Sequence, residues 1–136
     1  AYTATKAAVV ALSESWAGEF EEKGIHVSVL CPAFVQTRIH ESERNRPAQY
    51  QPDELRTSNE NSFANSTKQM VENGIEVSIV GKRVVEALND GEFYIFTHPN
   101  YRPIMQGRTA AIDAAFVKSA QSPLLEHIVN QKIEMP

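Results

Sequence analysis

The feature that most constrains the fold of this chain is an apolar segment at residues 25–31. Apolar and polar side chains alternate at its start, and Leu30 and Cys31 are then both apolar, so its end suits burial on both faces. Burial on both faces is typical of a parallel strand that is covered by helices. Pro32 lacks an amide hydrogen and ends the strand. The segment therefore predicts an α/β fold.

A strong helical pattern precedes this strand at residues 3–23. One apolar stripe recurs at every fourth position: Ala8, Leu12, Trp16 and Phe20. Such a stripe is typical of a helix that packs one face against other elements, so we expect it to lie in the core or at an interface. Gly24 follows the polar end of the pattern, where helices commonly end in a left-handed cap.

Tyr2 and Lys6 stand at the beginning of this helix. Residues four apart lie one turn above each other on the same face. The ammonium group can there favour the phenolate form of Tyr2, and a phenol tuned in this way can pass protons as a general acid or base. The spacing alone is weak evidence, because a tyrosine and a lysine occur four apart by chance in many helices.

Residues 38–74 form a polar region with short helices predicted at 39–44 and 63–73. Pro47 and Pro52 interrupt it. A long insertion beside a ligand site is often a lid or a substrate loop, and it can equally be a surface excursion without ligand contact. Both interpretations stay open at this point.

The rest of the chain predicts one further strand and three helices. Periodicity indicates helices at 77–88, 101–120 and 122–131, and an aromatic, β-rich strand lies at 92–97. Two strands joined by a long helical crossover predict a parallel, right-handed connection. The end of the first strand then becomes a candidate site, since open α/β sheets bind ligands at the carboxyl ends of their strands.

Composition narrows the classes of partner. The 136 residues carry a formal net charge of −4, which argues against nucleic acid or an anionic membrane surface as the main partner. No apolar run approaches the roughly 20 residues of a membrane-spanning helix. The single cysteine, Cys31, cannot form an internal disulfide, which favours a cytoplasmic location. No metal site is predicted.

The first residue, Ala1, is not methionine and precedes the helix directly. A Ser, Thr, Asp or Asn is expected at that position to cap the first amide groups of a helix. We therefore expect this chain to be a fragment of a longer protein.

Three motifs together resemble the short-chain dehydrogenase/reductase family in its compact single-domain branch. Tyr2-x-x-x-Lys6 with its alanine-rich helix is similar to the catalytic helix of that family. Residues 24–32 are similar to the strand and turn of its proline-glycine site, and residues 93–97 to its last strand. The resemblance implies the C-terminal half of a Rossmann-type doubly wound parallel sheet. Residues 1–136 would be part of a single NAD(P)-binding domain, with 38–74 covering the substrate.

The resemblance also implies roles for particular residues. Tyr2 would give a proton to a carbonyl oxygen in reduction and take one from an alcohol in oxidation. Lys6 would hydrogen-bond the nicotinamide ribose and assist Tyr2, and the Val35 backbone would lie near the carboxamide. The residues at the nicotinamide end of the cofactor would be Tyr2, Lys6, Pro32, Ala33, Val35 and Thr37. The cofactor would be NAD or NADP, the substrate a small alcohol or carbonyl compound, and the full protein a homo-dimer or homo-tetramer.

The chain departs from the family pattern in two ways. Ala33 stands where the family more often has glycine, and the glycine-rich turn and the catalytic serine have no counterpart. We therefore expect the chain by itself to be inactive. Two alternatives stay open: an extended-type sugar-nucleotide epimerase or dehydratase, and a non-catalytic helical association module that pairs subunits through the apolar stripe.

Overall fold

The computed structural model describes residues 2–50 and 58–133. These residues form two compact units, Ala1–His98 and Pro99–Pro136. The first unit carries two parallel strands with helices around them, and the second carries one long helix. Part of the predicted polar insertion, residues 51–57, lies outside the described residues.

Helix α1 spans Tyr2–Glu21 and ends close to the predicted boundary at residue 23. Gly24 has a φ of 69°, and its N–H donates to the carbonyl of Glu21 at 3.0 Å. The N–H of Ile25 reaches back to the carbonyl of Phe20 at 3.3 Å. These two bonds are the pair that closes a helix through a left-handed glycine. The predicted cap at Gly24 is confirmed.

Strands β1 (Val29–Cys31) and β2 (Tyr94–Phe96) pair in parallel, with Leu30 opposite Ile95. The predicted parallel connection is confirmed, but the predicted strands at 25–31 and 92–97 were too long. The ladder begins only where the N–H of Val29 donates to the carbonyl of Phe93 at 2.7 Å. One residue earlier, the hydroxyl of Ser28 bonds to the carbonyl of Glu92 at 2.8 Å, so a side chain takes the place of a ladder bond.

The core of the first unit forms around the two strands. Val29 is 5% exposed and Ile95 2% exposed, whereas Leu30 is 41% exposed. The expected burial at the end of β1 was therefore wrong for Leu30. Successive strand residues point to opposite faces, so Val29 and Ile95 lie on different faces and each face contributes to the core.

Helix α2 (Ser58–Glu72) and helix α3 (Val77–Asn89) form the crossover between the strands. Both agree in position with the predicted helices at 63–73 and 77–88, although α2 begins five residues early. The predicted helix at 39–44 is a 3-10 segment, Ile39–Asn45, with a kink at Glu41. A second short 3-10 turn spans Ala48–Tyr50. Val71 near the end of α2 is 4% exposed and anchors this helix in the core.

The second unit consists of a 3-10 turn, Pro99–Tyr101, followed by helix α4, Arg102–Ala120. Helix α4 matches the predicted helix at 101–120. The predicted helix at 122–131 was wrong: a 3-10 turn spans only Pro123–Leu125. The following amide groups of residues 128 and 131 each bond to the carbonyl three residues back, which makes turns and not an α-helix. Among the described residues, no helix combines the length and apolar character that crossing a membrane requires.

Candidate functional site

The side chains of Tyr2 and Lys6 lie together on the first turns of α1. The Nζ atom of Lys6 is 5.3 Å from the centre of the Tyr2 ring, a distance at which an ammonium group is attracted to an aromatic ring. Tyr2 is 66% exposed, so its hydroxyl is accessible from solvent. The hydroxyl of Thr5 donates to the Tyr2 carbonyl at 2.7 Å and steadies the same turn. An accessible phenol with an adjacent cation can exchange a proton with a bound molecule.

Helix α1 is joined to the sheet by a hydrogen bond farther along the helix. The hydroxyl of Tyr94 on β2 donates to a carboxylate oxygen of Glu14 at 2.5 Å. Donation to this carboxylate raises the pKa of Tyr94 above its ordinary value, because losing the proton would leave two negative oxygens in contact. Ser13, one residue before Glu14, is buried, and its hydroxyl donates to the Val9 carbonyl within α1 at 2.9 Å. The bond between Tyr94 and Glu14 thus joins the helix that carries Tyr2 to the sheet.

The loop after β1 carries the other predicted site residues. Pro32 and Thr37 are exposed, and Ala33 and Val35 are half-buried. The Thr37 hydroxyl accepts a long hydrogen bond, 3.4 Å, from the amide of Ile39, which leaves its O–H able to donate to a ligand.

A parallel bridge joins Val35 to Ile75 at the junction of α2 and α3. The N–H of Ile75 donates to the carbonyl of Phe34 at 3.1 Å, and the N–H of Gln36 donates to the carbonyl of Ile75 at 2.9 Å. Successive peptide groups of an extended chain point to opposite edges, so the N–H and C=O of Val35 itself point away from Ile75. Within residues 2–50 and 58–133, neither group has a hydrogen-bond partner. Val35 thus offers one donor and one acceptor side by side.

Beyond Thr37 the chain turns through a small ionic cluster. Arg38 Nε lies 2.6 Å from Glu41 Oε2, and Arg44 donates to the Arg38 carbonyl at 2.8 Å. The hydrogen bond from Arg38 holds the pKa of the Glu41 carboxyl below its ordinary value. The cluster is exposed, so it shapes the turn without adding much stability.

Sequence reasoning missed the close approach of Gly74 to the loop after β1. A side-chain β carbon placed there would collide with the carbonyl oxygen of Phe34 and lie 2.8 Å from the Val35 amide nitrogen. The only signal in the sequence was a glycine between two helical patterns, which indicates a turn. The pattern could not reveal that the turn presses against a loop some 40 residues away.

The structure therefore brings Tyr2 and Lys6 together and places Pro32, Ala33, Val35 and Thr37 on one loop. Among the described residues, no hydrogen bond or ring contact links the pair to the loop. The described part of the chain also holds no group of three or more His, Cys, Asp or Glu that could bind a metal ion. Burial raises the pKa of the Cys31 thiol at the end of β1, which keeps it protonated and makes it a poor nucleophile.

Comparison with known proteins finds relatives that are named as dehydrogenases or reductases. The family model of the short chain dehydrogenase matches residues 1–48. The CLA biosynthesis dehydrogenase/reductase of Lactiplantibacillus plantarum is 34% identical over 116 residues, which are 82% of this chain and 41% of that protein. The C alpha-dehydrogenase of a Sphingobium species is 32% identical over 111 residues, which are 82% of this chain and 36% of that protein. The chain thus spans less than half the length of the curated relatives that it matches.

A solved structure extends the similarity to the fold. The crystal structure of a short-chain dehydrogenase/reductase from Burkholderia phymatum in complex with NAD has a TM-score of 0.77 and is 28% identical. The match covers 98% of this chain and 45% of that one. The predicted fold class, part of a Rossmann-type parallel α/β sheet, is confirmed by this match and by the parallel pairing of β1 with β2. This chain belongs to the short-chain dehydrogenase/reductase family.

Proposed function

We propose that this chain is the C-terminal part of an NAD(P)-dependent oxidoreductase that interconverts a carbonyl group and an alcohol in a small molecule. The observation that carries the proposal is the exposed Tyr2 phenol with the Lys6 ammonium 5.3 Å from its ring. The family-model match to residues 1–48 includes this pair.

The loop after β1 fits the nicotinamide end of the cofactor. A carboxamide presents one carbonyl acceptor and N–H donors, which complement the N–H and C=O that Val35 leaves without partners in the described chain. The hydroxyl of Thr37 adds a donor two residues farther on. Pro32 and Ala33 would line the approach to these groups. The Burkholderia phymatum neighbour is in complex with NAD, which supports an NAD(P) cofactor; the cofactor proposed here is NAD or NADP.

The chemistry divides between cofactor and chain. When bound, NAD(P) supplies or accepts the hydride. The hydroxyl of Tyr2 donates its proton to the carbonyl oxygen as that oxygen becomes an alcohol, and takes the proton back in the reverse direction. The ammonium of Lys6 favours the phenolate that remains and donates a hydrogen bond to the ribose. Residues 38–74 would cover the substrate.

We assign the chain to the compact branch of the family. An extended-type epimerase or dehydratase stays the alternative, because such enzymes share the Tyr-x-x-x-Lys motif that Tyr2 and Lys6 form. A second role can coexist with catalysis, because α1 exposes Leu12 and Trp16 by 48% and 44%.

This exposed part of the apolar stripe supports an interface between copies of the protein. Large apolar side chains at an exposed helix face often mark a protein–protein contact. We propose a homo-dimer or homo-tetramer that pairs through α1, and sedimentation of the full-length protein would contradict this if it gave a monomer. The cytoplasmic location inferred from the single cysteine stays a prediction.

The N-terminal half of the domain would supply the pyrophosphate site, so the chain alone should not hold a dinucleotide. We expect the full-length protein to bind NADH or NADPH saturably, with the fluorescence of the reduced nicotinamide as the readout. The chain 1–136 alone should give no saturation in the same range, because two short strands do not form a stable sheet by themselves. Absence of binding by the full-length protein would contradict the proposed function. Micromolar binding by the chain 1–136 alone would contradict the proposal that a further part of the domain supplies the pyrophosphate site.

A further inference from the structure

We infer that Gly74 is a positioning residue for the cofactor-binding loop: its missing side chain lets the α2–α3 junction press against the loop and aim the Val35 peptide groups at the carboxamide. The inference rests on the proposed function and adds a residue to it that lies outside the catalytic helix and the loop itself.

Position 74 requires glycine because a β carbon would have no room there, and not because the backbone adopts a conformation that only glycine favours. Gly24 and Gly91 have φ values of 69° and 68°, and a β carbon added to either would meet nothing within 4 Å, as expected for helix caps. Gly74 shows the opposite pattern: its φ is not positive, and a β carbon would lie 2.5 Å from the carbonyl carbon of Phe34. Its neighbours there are main-chain atoms, which cannot rotate aside as the end of a flexible side chain can.

A side chain at position 74 would displace the loop and not the α2–α3 junction, because the junction is anchored to the core through α2. The N–H of Gly74 donates to the carbonyl of Val71 at 3.1 Å, and Val71 is 4% exposed. A β carbon at position 74 would therefore push Phe34 and Val35 outward. That movement strains both bonds of the Ile75 bridge, one on each side of Val35.

The two bonds of the bridge determine which way Val35 points. They engage Phe34 and Gln36 on one edge of the extended segment and leave the peptide groups of Val35 on the other edge. If the bridge opens, the segment can rotate, and the donor and acceptor of Val35 lose their fixed direction. Binding should then lose recognition of the carboxamide in particular, more than affinity for the dinucleotide in general.

The test compares two cofactors on two glycine variants of the full-length protein. The probes are NADH and its 3-acetylpyridine analogue, which replaces the amide –NH₂ by a methyl group and cannot donate to the Val35 carbonyl. We expect the wild type to prefer NADH by about tenfold in Kd, and Gly74→Ala to reduce this preference to about twofold or less. Gly81→Ala is the matched control, because Gly81 lies in α3 with nothing within 4 Å of its β-carbon position, and it should keep the wild-type preference.

A merely structural role gives a different result. Gly74→Ala would then lower the thermal midpoint and weaken both cofactors equally, leaving the ratio of their Kd values unchanged, and that outcome would overturn the inference. If Gly74→Ala does not fold, Ile75→Pro removes the N–H that binds the Phe34 carbonyl and should reduce the ratio in the same way. If the wild type binds neither cofactor, the proposed function is refuted. If the wild type and Gly74→Ala both prefer NADH to its analogue by the same factor, only the role of Gly74 is refuted.

Discussion

Two lysines of α1 and its C-terminal turn place an ammonium group beside an aromatic ring, and only one of them has a role in the proposed chemistry. Lys6 lies 5.3 Å from the centre of the Tyr2 ring, and Lys23 lies 4.8 Å from that of Phe20. In the full-length protein we expect Lys6→Met to lower kcat/KM by about 100-fold or more, since it removes the cation that assists the proton transfer. Lys23→Met should leave kcat/KM within about twofold, as expected for an exposed surface charge.

Steady-state kinetics over a range of cofactor concentrations measures both effects. Loss of Lys6 should also raise the KM for the cofactor, because the ammonium group is proposed to bind the ribose. Equal losses in the two variants would show that these lysines matter only for the helix, and would contradict the role of Lys6.

At the scale of single residues, the sequence predicts which side chains lie together better than it predicts which peptide groups lack a hydrogen-bond partner. The spacing of Tyr2 and Lys6 follows from helical periodicity alone, and the structure places them together. The Val35 N–H and C=O, which have no partner within the described ranges, are set in their direction by the bridge to Ile75, and the need for glycine at position 74 arises from the same close approach. Both arise from pairing between distant segments, which no local pattern contains.

Helix α1 and strand β2 are joined by the hydrogen bond from Tyr94 to Glu14. The folded-state pKa of Tyr94 is raised above its unfolded value near 10, so this bond contributes stability from neutral pH up to that value. The contribution is lost as the pH rises through the folded-state pKa. We expect Tyr94→Phe to lower the thermal midpoint at about pH 8, and the difference from the wild type to shrink as the pH approaches about 12.

Thermal unfolding of the full-length protein followed by circular dichroism checks this prediction. Glu14→Gln should show a smaller loss near neutral pH, because its amide oxygen still accepts the hydrogen bond but is a weaker acceptor than the carboxylate. A difference between wild type and Tyr94→Phe that stays constant up to alkaline pH would show that the hydrogen bond does not contribute.

The elements themselves differ in how far the sequence predicts them. Helices α1, α3 and α4 follow from periodicity, and Gly24 and Gly91 mark two of their ends. The strands are shorter than their apolar character indicates, because a residue counts as strand only where a partner pairs with it. Residues 25–28 have strand-like composition, yet the ladder with β2 begins at Val29.

Over the whole molecule, the described chain holds the proposed catalytic pair and the proposed nicotinamide loop but no glycine-rich turn. The relatives that it matches are more than twice as long as the aligned part. The sequence predicted the fold class and the family from the order of three motifs. The exposed faces of Leu30 and α1 could not be predicted from periodicity, since an apolar stripe looks the same whether a neighbouring element or a second subunit covers it.

Tyr2 is proposed to deliver the proton and the cofactor to deliver the hydride, and one measurement tests both proposals. The full-length protein is given NADH or NADPH with deuterium on the reactive carbon of the nicotinamide ring, together with a panel of small ketones. We predict that mass spectrometry finds deuterium on the carbinol carbon of one of the alcohols. Tyr2→Phe should form that product at least about 100-fold more slowly, with the Kd for the cofactor unchanged within about twofold. Tyr101→Phe, in the second unit, is the control and should keep the wild-type rate. Product formation by Tyr2→Phe at the wild-type rate, or no deuterated alcohol from a wild type that binds the cofactor, would contradict the account.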